Sequence, residues 1–491
     1  MHLSLFLACT PASDDSTEPG WAFWDAGPPL RAAGSTRSFT EAELWQSCAS
    51  LSGTEADELH HNLQLPYRGH LVLPWSPEWG RGGISLFDME DPCAPVRAGD
   101  GYSDDMRETH AMGFVYLPPD DPHAGDWGVG NGKVFGGFDT GPLFWDLSDP
   151  AAPAAAGLFI LPDAIYPDSY TRVSLSVFWQ YPWLYVASSD NGVFVVDATD
   201  PRSPTLVGQV AFGLRAGGVF ALGNELLVTS AEQTSAALLD ISDPTNPTLL
   251  PGSPFATTNR DGEPVETYHG NRTGDWAFFA RKEGAGGPIV YDISDPTHPT
   301  FVSDTTDAGN GGYVFYDEGV IFVGESSHAS IWDARDLSNL VSIGTATLPG
   351  DLDTAVPWGN VALLSVDEPE TDEATVVVPW QTDADRKGPM VLSTNPEPDS
   401  TGWYVGARVG IGFDEFVEPA SVYPGSLRLL DAEGRPVEGW ASTQESIASY
   451  VPKLPLLPGV TYTFEVEGVT DIHGNAMDGV HRFQFTTAGG R

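Results

Sequence analysis

Val193-Phe194-Val195-Val196-Asp197-Ala198-Thr199-Asp200-Pro201 decides the fold. Its four apolar residues are β-branched or aromatic, the composition of a strand buried on both faces. Asp-Pro then ends the strand, because proline fixes its own φ, lacks an N–H and holds the preceding residue extended. The Asp197 and Thr199 side chains are suited to bond turn amides. The stretch is a strand that carries its own stop signal.

Five further stretches repeat the pattern. They are Ile84-Ser85-Leu86-Phe87-Asp88 before Asp91-Pro92 and Leu143-Phe144-Trp145-Asp146 before Asp149-Pro150. Ala237-Leu238-Leu239-Asp240 precedes Asp243-Pro244, and Ile289-Val290-Tyr291-Asp292 precedes Asp295-Pro296. Ser330-Ile331-Trp332-Asp333 precedes Asp336-Leu337. The strand-ending aspartates stand 58, 51, 43, 52 and 41 residues apart, room for four short strands with turns, which is one propeller blade. Upstream runs such as Trp183-Leu184-Tyr185-Val186-Ala187-Ser188 supply further buried strands. A seventh unit lacks the aspartate but keeps two strands, Asn360-Val361-Ala362-Leu363-Leu364-Ser365 and Thr375-Val376-Val377-Val378-Pro379-Trp380. The expected fold is all-β: a seven-bladed β-propeller followed by an Ig-like β-sandwich. The repeated aspartates read as turn chemistry rather than as a cation site.

The six stretches resemble the LVIVD repeat of bacterial and archaeal surface β-propellers, over about residues 60–381. That resemblance implies a propeller at the cell surface and brings no general catalytic motif with it.

Composition shifts at residues 381–388, and the stretch after it alternates in short strands such as Val409-Gly410-Ile411-Gly412-Phe413 and Tyr462-Thr463-Phe464-Glu465-Val466. Ser393-Thr394-Asn395-Pro396, Phe413-Asp414-Glu415, Pro458-Gly459-Val460-Thr461-Tyr462, Asp471-Ile472-His473-Gly474-Asn475-Ala476 and Phe485-Thr486-Thr487 resemble the bacterial Ig-like domain of the S-layer (SbsA) type. The resemblance implies a spacer or adhesive module in an envelope protein. Asp471 and Asn475 flank a turn at Gly474 and read as structural rather than as a calcium site.

The expected division is a lipoprotein-type signal remnant and tether over 1–20 and an N-terminal extension with a short helix over 21–59. The propeller spans 60–381, a linker 382–388 and the Ig-like domain 389–487. The helix is read from a capping-box pattern, Thr40 with Glu43. The apolar run Met1 to Ala8 before Cys9 resembles the end of a bacterial lipoprotein signal, with Cys9 as the lipid attachment. Beyond it nothing approaches the ~18 apolar residues that span a bilayer. Cys48 and Cys93 then remain, either as a disulfide or as two separate buried thiols.

With 23 Lys+Arg against 68 Asp+Glu, the net charge of -45 repels phosphate backbones and excludes nucleic acid as a partner. The 54 glycines and 41 prolines suit tight turns between strands. H-E-x-x-H, G-x-S-x-G and paired C-x-x-C motifs are absent, so no catalytic residue is assigned and a non-enzyme is expected. Gly128-Val129-Gly130-Asn131-Gly132-Lys133 lacks the hydroxyl residue of a phosphate loop and reads as a turn into a strand. Asp304 to Asn310 is a weak cation candidate.

Propellers bind ligands at the central channel, and the innermost strands begin near His60, His61, His110, Arg172, His269 and Asp353. Histidines converging on one axis suit a transition metal. Three readings follow. The first is a non-enzymatic surface scaffold or interaction protein; the second is a metal-dependent enzyme or small-ligand binder using the channel. The third is a carbohydrate-binding surface protein presenting Trp75, Trp79 and Trp127. No cofactor is expected, with calcium or a channel-bound transition metal as the alternatives. Expected partners are surface proteins or glycans, with membrane contact only through a lipid anchor, and a monomer is expected. The expected location is the cell envelope, as an outer-membrane lipoprotein facing outward, or outside the cell after secretion.

Overall fold

The computed structural model describes residues 37–166, 171–282 and 284–489. Cys9 and the whole 1–20 segment lie outside the described residues.

Among the described residues, seven antiparallel units of four strands form in turn, the fourth with a short fifth strand, Phe255–Ala256, and the seventh with a borrowed outer strand. Unit one is Leu65–Tyr67, His70–Trp75, Gly82–Asp88 and Val96–Ser103. Unit three, which holds the opening stretch, is Ser176–Gln180, Trp183–Ala187, Val193–Asp197 and Thr205–Val210. First strands of neighbouring units pack on one another around a central axis, as in Ser176–Gln180 against Ala216–Leu222 and Thr267–Thr273 against Val314–Asp317. Inner strands are buried throughout, whereas fourth strands such as Ala154–Leu158 are largely exposed. This gradient is why the inner strands are continuously apolar.

The Asp-x-x-Asp-Pro tail makes two turns in series. The Asp197 Oδ1 accepts from Thr199 N at 3.0 Å, and Asp200 Oδ1 accepts from Arg202 N at 3.0 Å. The same pair recurs at Asp88 and Asp91, Asp146 and Asp149, Asp240 and Asp243, Asp292 and Asp295, and Asp333 and Asp336. The aspartates are turn residues.

The seventh unit is closed by the chain start. Thr354–Trp358, Val361–Ser365 and Thr375–Pro379 take Ala49–Leu51 as the outer strand. The Cys48–Cys93 disulfide, with Cα atoms 5.1 Å apart, ties this strand to the turn after Gly82–Asp88 of unit one. Residues 40–45, expected to be helical, form turns instead. Half of the capping box is present: Thr40 N donates to Glu43 Oε2 at 2.8 Å, but Thr40 Oγ1 donates to the same oxygen at 2.8 Å while Glu43 N donates to Thr40 O. Trp45 then turns to a φ of 63 and its N–H donates to Pro379 O, so no second turn of helix follows. Residues 128–133 also differ from expectation, lying inside the strand Gly125–Lys133. There Gly132 leaves room for Leu158, whose Cδ1 a Cβ would meet at 2.7 Å.

The C-terminal region is a sandwich of two four-stranded layers around Ile411, Phe413, Leu427, Leu429, Tyr450 and Phe464. Val391–Asn395, Val409–Phe413, Ile447–Pro452 and Gly439–Gln444 form one layer; Thr401–Trp403, Val480–Thr487, Thr461–Glu467 and Leu427–Leu430 form the other. The sandwich sits directly on the propeller. Thr443 pairs with Phe114, so its first layer continues into the sheet of unit two, which is Gly113–Leu117, Gly125–Lys133, Thr140–Asp146 and Ala154–Leu158. Among the described residues, no helix is long and apolar enough to cross a membrane.

Candidate functional site

The channel has two unlike ends. At one, the sandwich covers the turns between first and second strands. Gly69 N donates to Glu418 Oε1 at 3.2 Å, Tyr181 N to Ser442 Oγ at 3.2 Å and Asn224 N to Asn395 Oδ1 at 2.9 Å. Phe416 N donates to Asp317 Oδ1 at 3.1 Å. The hairpin joining Gly439–Gln444 to Ile447–Pro452 reaches inner strands. Gln444 Nε2 donates to Val177 O at 3.0 Å, and Asn271 Nδ2 donates to Glu445 Oε2 at 2.6 Å. Ile447 joins the apolar cluster of Phe178 and Phe220. This end is sealed.

The other end gathers histidines and carboxylates. Glu108 Oε1 accepts from Asn62 Nδ2 at 2.6 Å and lies 3.0 Å from His110 Nε2 and 3.8 Å from His60 Nε2. His110 Nδ1 is 2.9 Å from His269 Nε2, which extends the chain to a carboxylate–histidine–histidine relay. His269 stacks on Tyr313 with ring centroids 4.2 Å apart. A bulge in Thr267–Thr273 sets Tyr268 and His269 opposite the single Ala280, which re-aims the imidazole. Asp353 lies beside Asp351 and Asp367, the ligand atoms of the three within 4.8 Å of one another.

Charge follows from this packing. Burial alone would raise Glu108, but His110 and His60 outweigh it and hold the carboxyl well below its ordinary value. Burial would lower His60, yet Glu108 and Asp367 keep it above its usual value. His269 is pushed well down by burial and by the neighbouring His110. Burial, with repulsion from Glu108 and Asp351 against the attraction of His60, lifts Asp367 to about 7. Asp353 is raised well above the carboxylate range by burial, then by Asp367 and Asp351.

Four of the six channel residues read from sequence therefore meet here: His60, His110, His269 and Asp353. His61 does not. Strand alternation points it the other way, into the seam between units seven and one, where Nε2 is 2.7 Å from Asp57 Oδ2 and Nδ1 is 2.8 Å from Thr375 Oγ1. Arg172 is exposed on the loop before Ser176–Gln180 and stands outside the cluster. The sequence reading missed Glu108, Asp367, Asn62 and Tyr313. Glu108-Thr109-His110 held the signal for the first, since residues two apart in extended chain share a face.

Two other sequence candidates are corrected. Trp75 and Trp127 are buried, their Nε1 atoms donating to Ser85 Oγ and His123 O, which leaves Trp79 as the exposed member of the proposed sugar platform. In the stretch Asp304 to Asn310, Asp304 is paired with Arg260 and Arg281, and Asp307 with His328. Arginine occupies the place offered to a cation.

Residues 385–487 match the family model of the bacterial Ig-like domain, and residues 181–211, 233–251 and 273–307 match that of the LVIVD repeat. No curated protein matches the chain. Among solved structures, the computationally designed Ika8 protein is 11% identical with a TM-score of 0.43, covering 68% of this chain and 99% of its own. BamB from Moraxella catarrhalis is 12% identical, with a TM-score of 0.41 and coverage of 68% and 99%. The WD40 β-propeller domain of Doa1 is 12% identical, with a TM-score of 0.41 and coverage of 68% and 95%. The chain is a propeller repeat protein with an Ig-like domain, an arrangement that fits a surface or secreted interaction protein.

Proposed function

We propose that this chain is a non-catalytic binding protein of the bacterial envelope, whose recognition site is the open end of the propeller channel. The site takes a divalent transition-metal cation on His60, Glu108 and Asp367. One observation carries the reading: the ligand atoms of these three lie within 4.8 Å of one another, and His60 Nε2 and Asp367 Oδ1 are buried without a hydrogen-bond partner, while Glu108 Oε2 stands 3.7 Å from Arg107 Nη2. Orphaned buried polar atoms are costly unless something binds them. An imidazole with two carboxylates suits zinc, manganese or iron, and three protein donors leave positions open for a ligand from solution. Asn62 and His110 hold Glu108 in place as outer-shell partners do. Binding rather than turnover is favoured because LVIVD-repeat and Ig-like domains are typically non-catalytic. Anchoring through Cys9 belongs to the same proposal, and loss of labelled-palmitate incorporation in Cys9→Ala tests it separately.

The test is elemental analysis of the purified chain after dialysis against metal-free buffer. A stoichiometric transition metal, lost in Glu108→Gln, is expected. An empty protein that also fails to take up added zinc or manganese overturns the reading, as does metal retained in full by Glu108→Gln.

A further inference from the structure

A second cluster lies where the linker, the sandwich and the propeller meet. Asp385 of the linker and Glu415 and Asp471 of the sandwich bring ligand oxygens within 4.8 Å of one another. Two oxygens on one calcium ion, each at about 2.3–2.6 Å, stand no more than about 5 Å apart, so the three fit a single ion. A group of acids is not by itself a site, but Glu415 adds an independent sign. It is 3% exposed, and its Oε1 has no hydrogen-bond partner. A buried, orphaned carboxylate oxygen facing two more carboxylates calls for a cation or a proton.

The fold fixes the three oxygens from different elements. Asp471 is 0% exposed and is pinned by its turn, Oδ1 accepting from His473 N at 2.8 Å and Asn475 N at 2.7 Å. Glu415 follows the strand Val409–Phe413, next to Phe416, whose N–H is held by Asp317 at the end of the propeller strand Val314–Asp317. Asp385 Oδ1 accepts from Lys387 N at 3.0 Å, which orders the linker locally. We infer that Asp385, Glu415 and Asp471 form a calcium site that clamps the linker to the Ig-like domain against the propeller. The donors are all hard oxygens, and calcium tolerates the irregular geometry of three separate segments, whereas magnesium demands near-octahedral ligands. In the absence of the ion, burial and then repulsion from Asp317 and Asp471 lift Glu415 to about 12. Burial, with Asp385 acting against the Asn475 bonds, lifts Asp471 to about 7. This inference does not rest on the channel site.

The experiment is calorimetric calcium titration of the full chain after chelator treatment, with thermal unfolding in chelator and in calcium. Glu415→Gln, Asp385→Asn and the channel variant Glu108→Gln are compared with the parent. Expected are stoichiometric calcium binding and a higher unfolding temperature in calcium, both lost in Glu415→Gln and Asp385→Asn and kept in Glu108→Gln. In chelator, Glu415→Gln should unfold at or above the parent temperature, because the amide keeps the shape and needs no proton taken up on folding. Four outcomes overturn the site: no calcium heat from folded protein, full binding by Glu415→Gln, equal binding of magnesium, or loss of binding in Glu108→Gln instead.

Discussion

The two ends of the propeller channel use the same seven units for opposite purposes. At the sealed end, polar tips meet partners from the second domain: Asn224 meets Asn395, Asn271 meets Glu445, and Val177 O meets Gln444. At the open end, His60 Nε2, Asp353 Oδ1 and Asp367 Oδ1 are buried without a hydrogen-bond partner, and Glu108 Oε2 has only Arg107 Nη2 at 3.7 Å. Satisfied polar contacts hold a junction together, whereas unsatisfied ones, found at the open end and also at Gln180 Oε1 and Arg408 Nη2 of the junction, cost stability. One end is a domain junction and the other, on the proposed function, a binding site, so variants at the two should differ in sign.

The largest effect should come from the seam that both ends share. A Cys48→Ser/Cys93→Ser variant frees Ala49–Leu51 from its covalent tie to unit one. Closing a loop with a sequence separation of 45 contributes roughly 3–4 kcal/mol by the chain-entropy estimate. Urea unfolding of oxidised parent and variant should show a loss of that size. A loss below about 1 kcal/mol would mean that pairing with Thr375–Pro379 closes the ring without the bridge.

The next test sets the ends against each other. Asn271→Ala removes the donor to Glu445 and leaves a buried carboxyl unpaired, a loss of about 1–3 kcal/mol. Asp353→Asn at the open end removes a buried acid crowded by Asp351 and Asp367, so in metal-free buffer near neutrality it should raise the unfolding midpoint. Equal losses from both would erase the distinction drawn above.

What the sequence showed follows the same division. The repeat was legible because each strand carries its stop signal locally, and Asp197 and Asp200 need only their own neighbours to make turns. Ala49–Leu51 was not legible, since three residues owe their strand to the edge offered by Thr375–Pro379. The helix expected over 40–45 failed because Thr40–Glu43 bonds serve an isolated turn as well as a helix start. At the open end a one-residue register choice separates His60, in the cluster, from His61, in the seam. Asp367 comes from the seventh unit, where the Asp-Pro signal is missing, so nothing local announced it. The docking of the second domain was invisible, because Gln444 and Glu445 gain meaning only against Val177 and Asn271.

The smallest and most specific effect is a pH dependence at the sealed end. Burial raises Glu445 from 4.5 to about 7, the Asn271 bond opposing it only in part. Burial likewise raises Glu418 to about 7, against the N–H groups of Ala420 and Gly69. A carboxyl whose folded-state pKa lies above its unfolded one favours folding at low pH and loses that contribution as pH rises through the folded value. Both groups therefore stabilise docking fully below 4.5 and cease to do so as pH passes about 7. Glu445→Gln keeps an acceptor for Asn271 Nδ2 but has no proton to lose. Its unfolding free energy should fall less than the parent's between about pH 5 and about pH 8, and should exceed the parent's at the upper limit. Superimposable pH profiles would show that the hairpin tip reaches solvent when Glu445 ionises, so that the end described as sealed opens with pH.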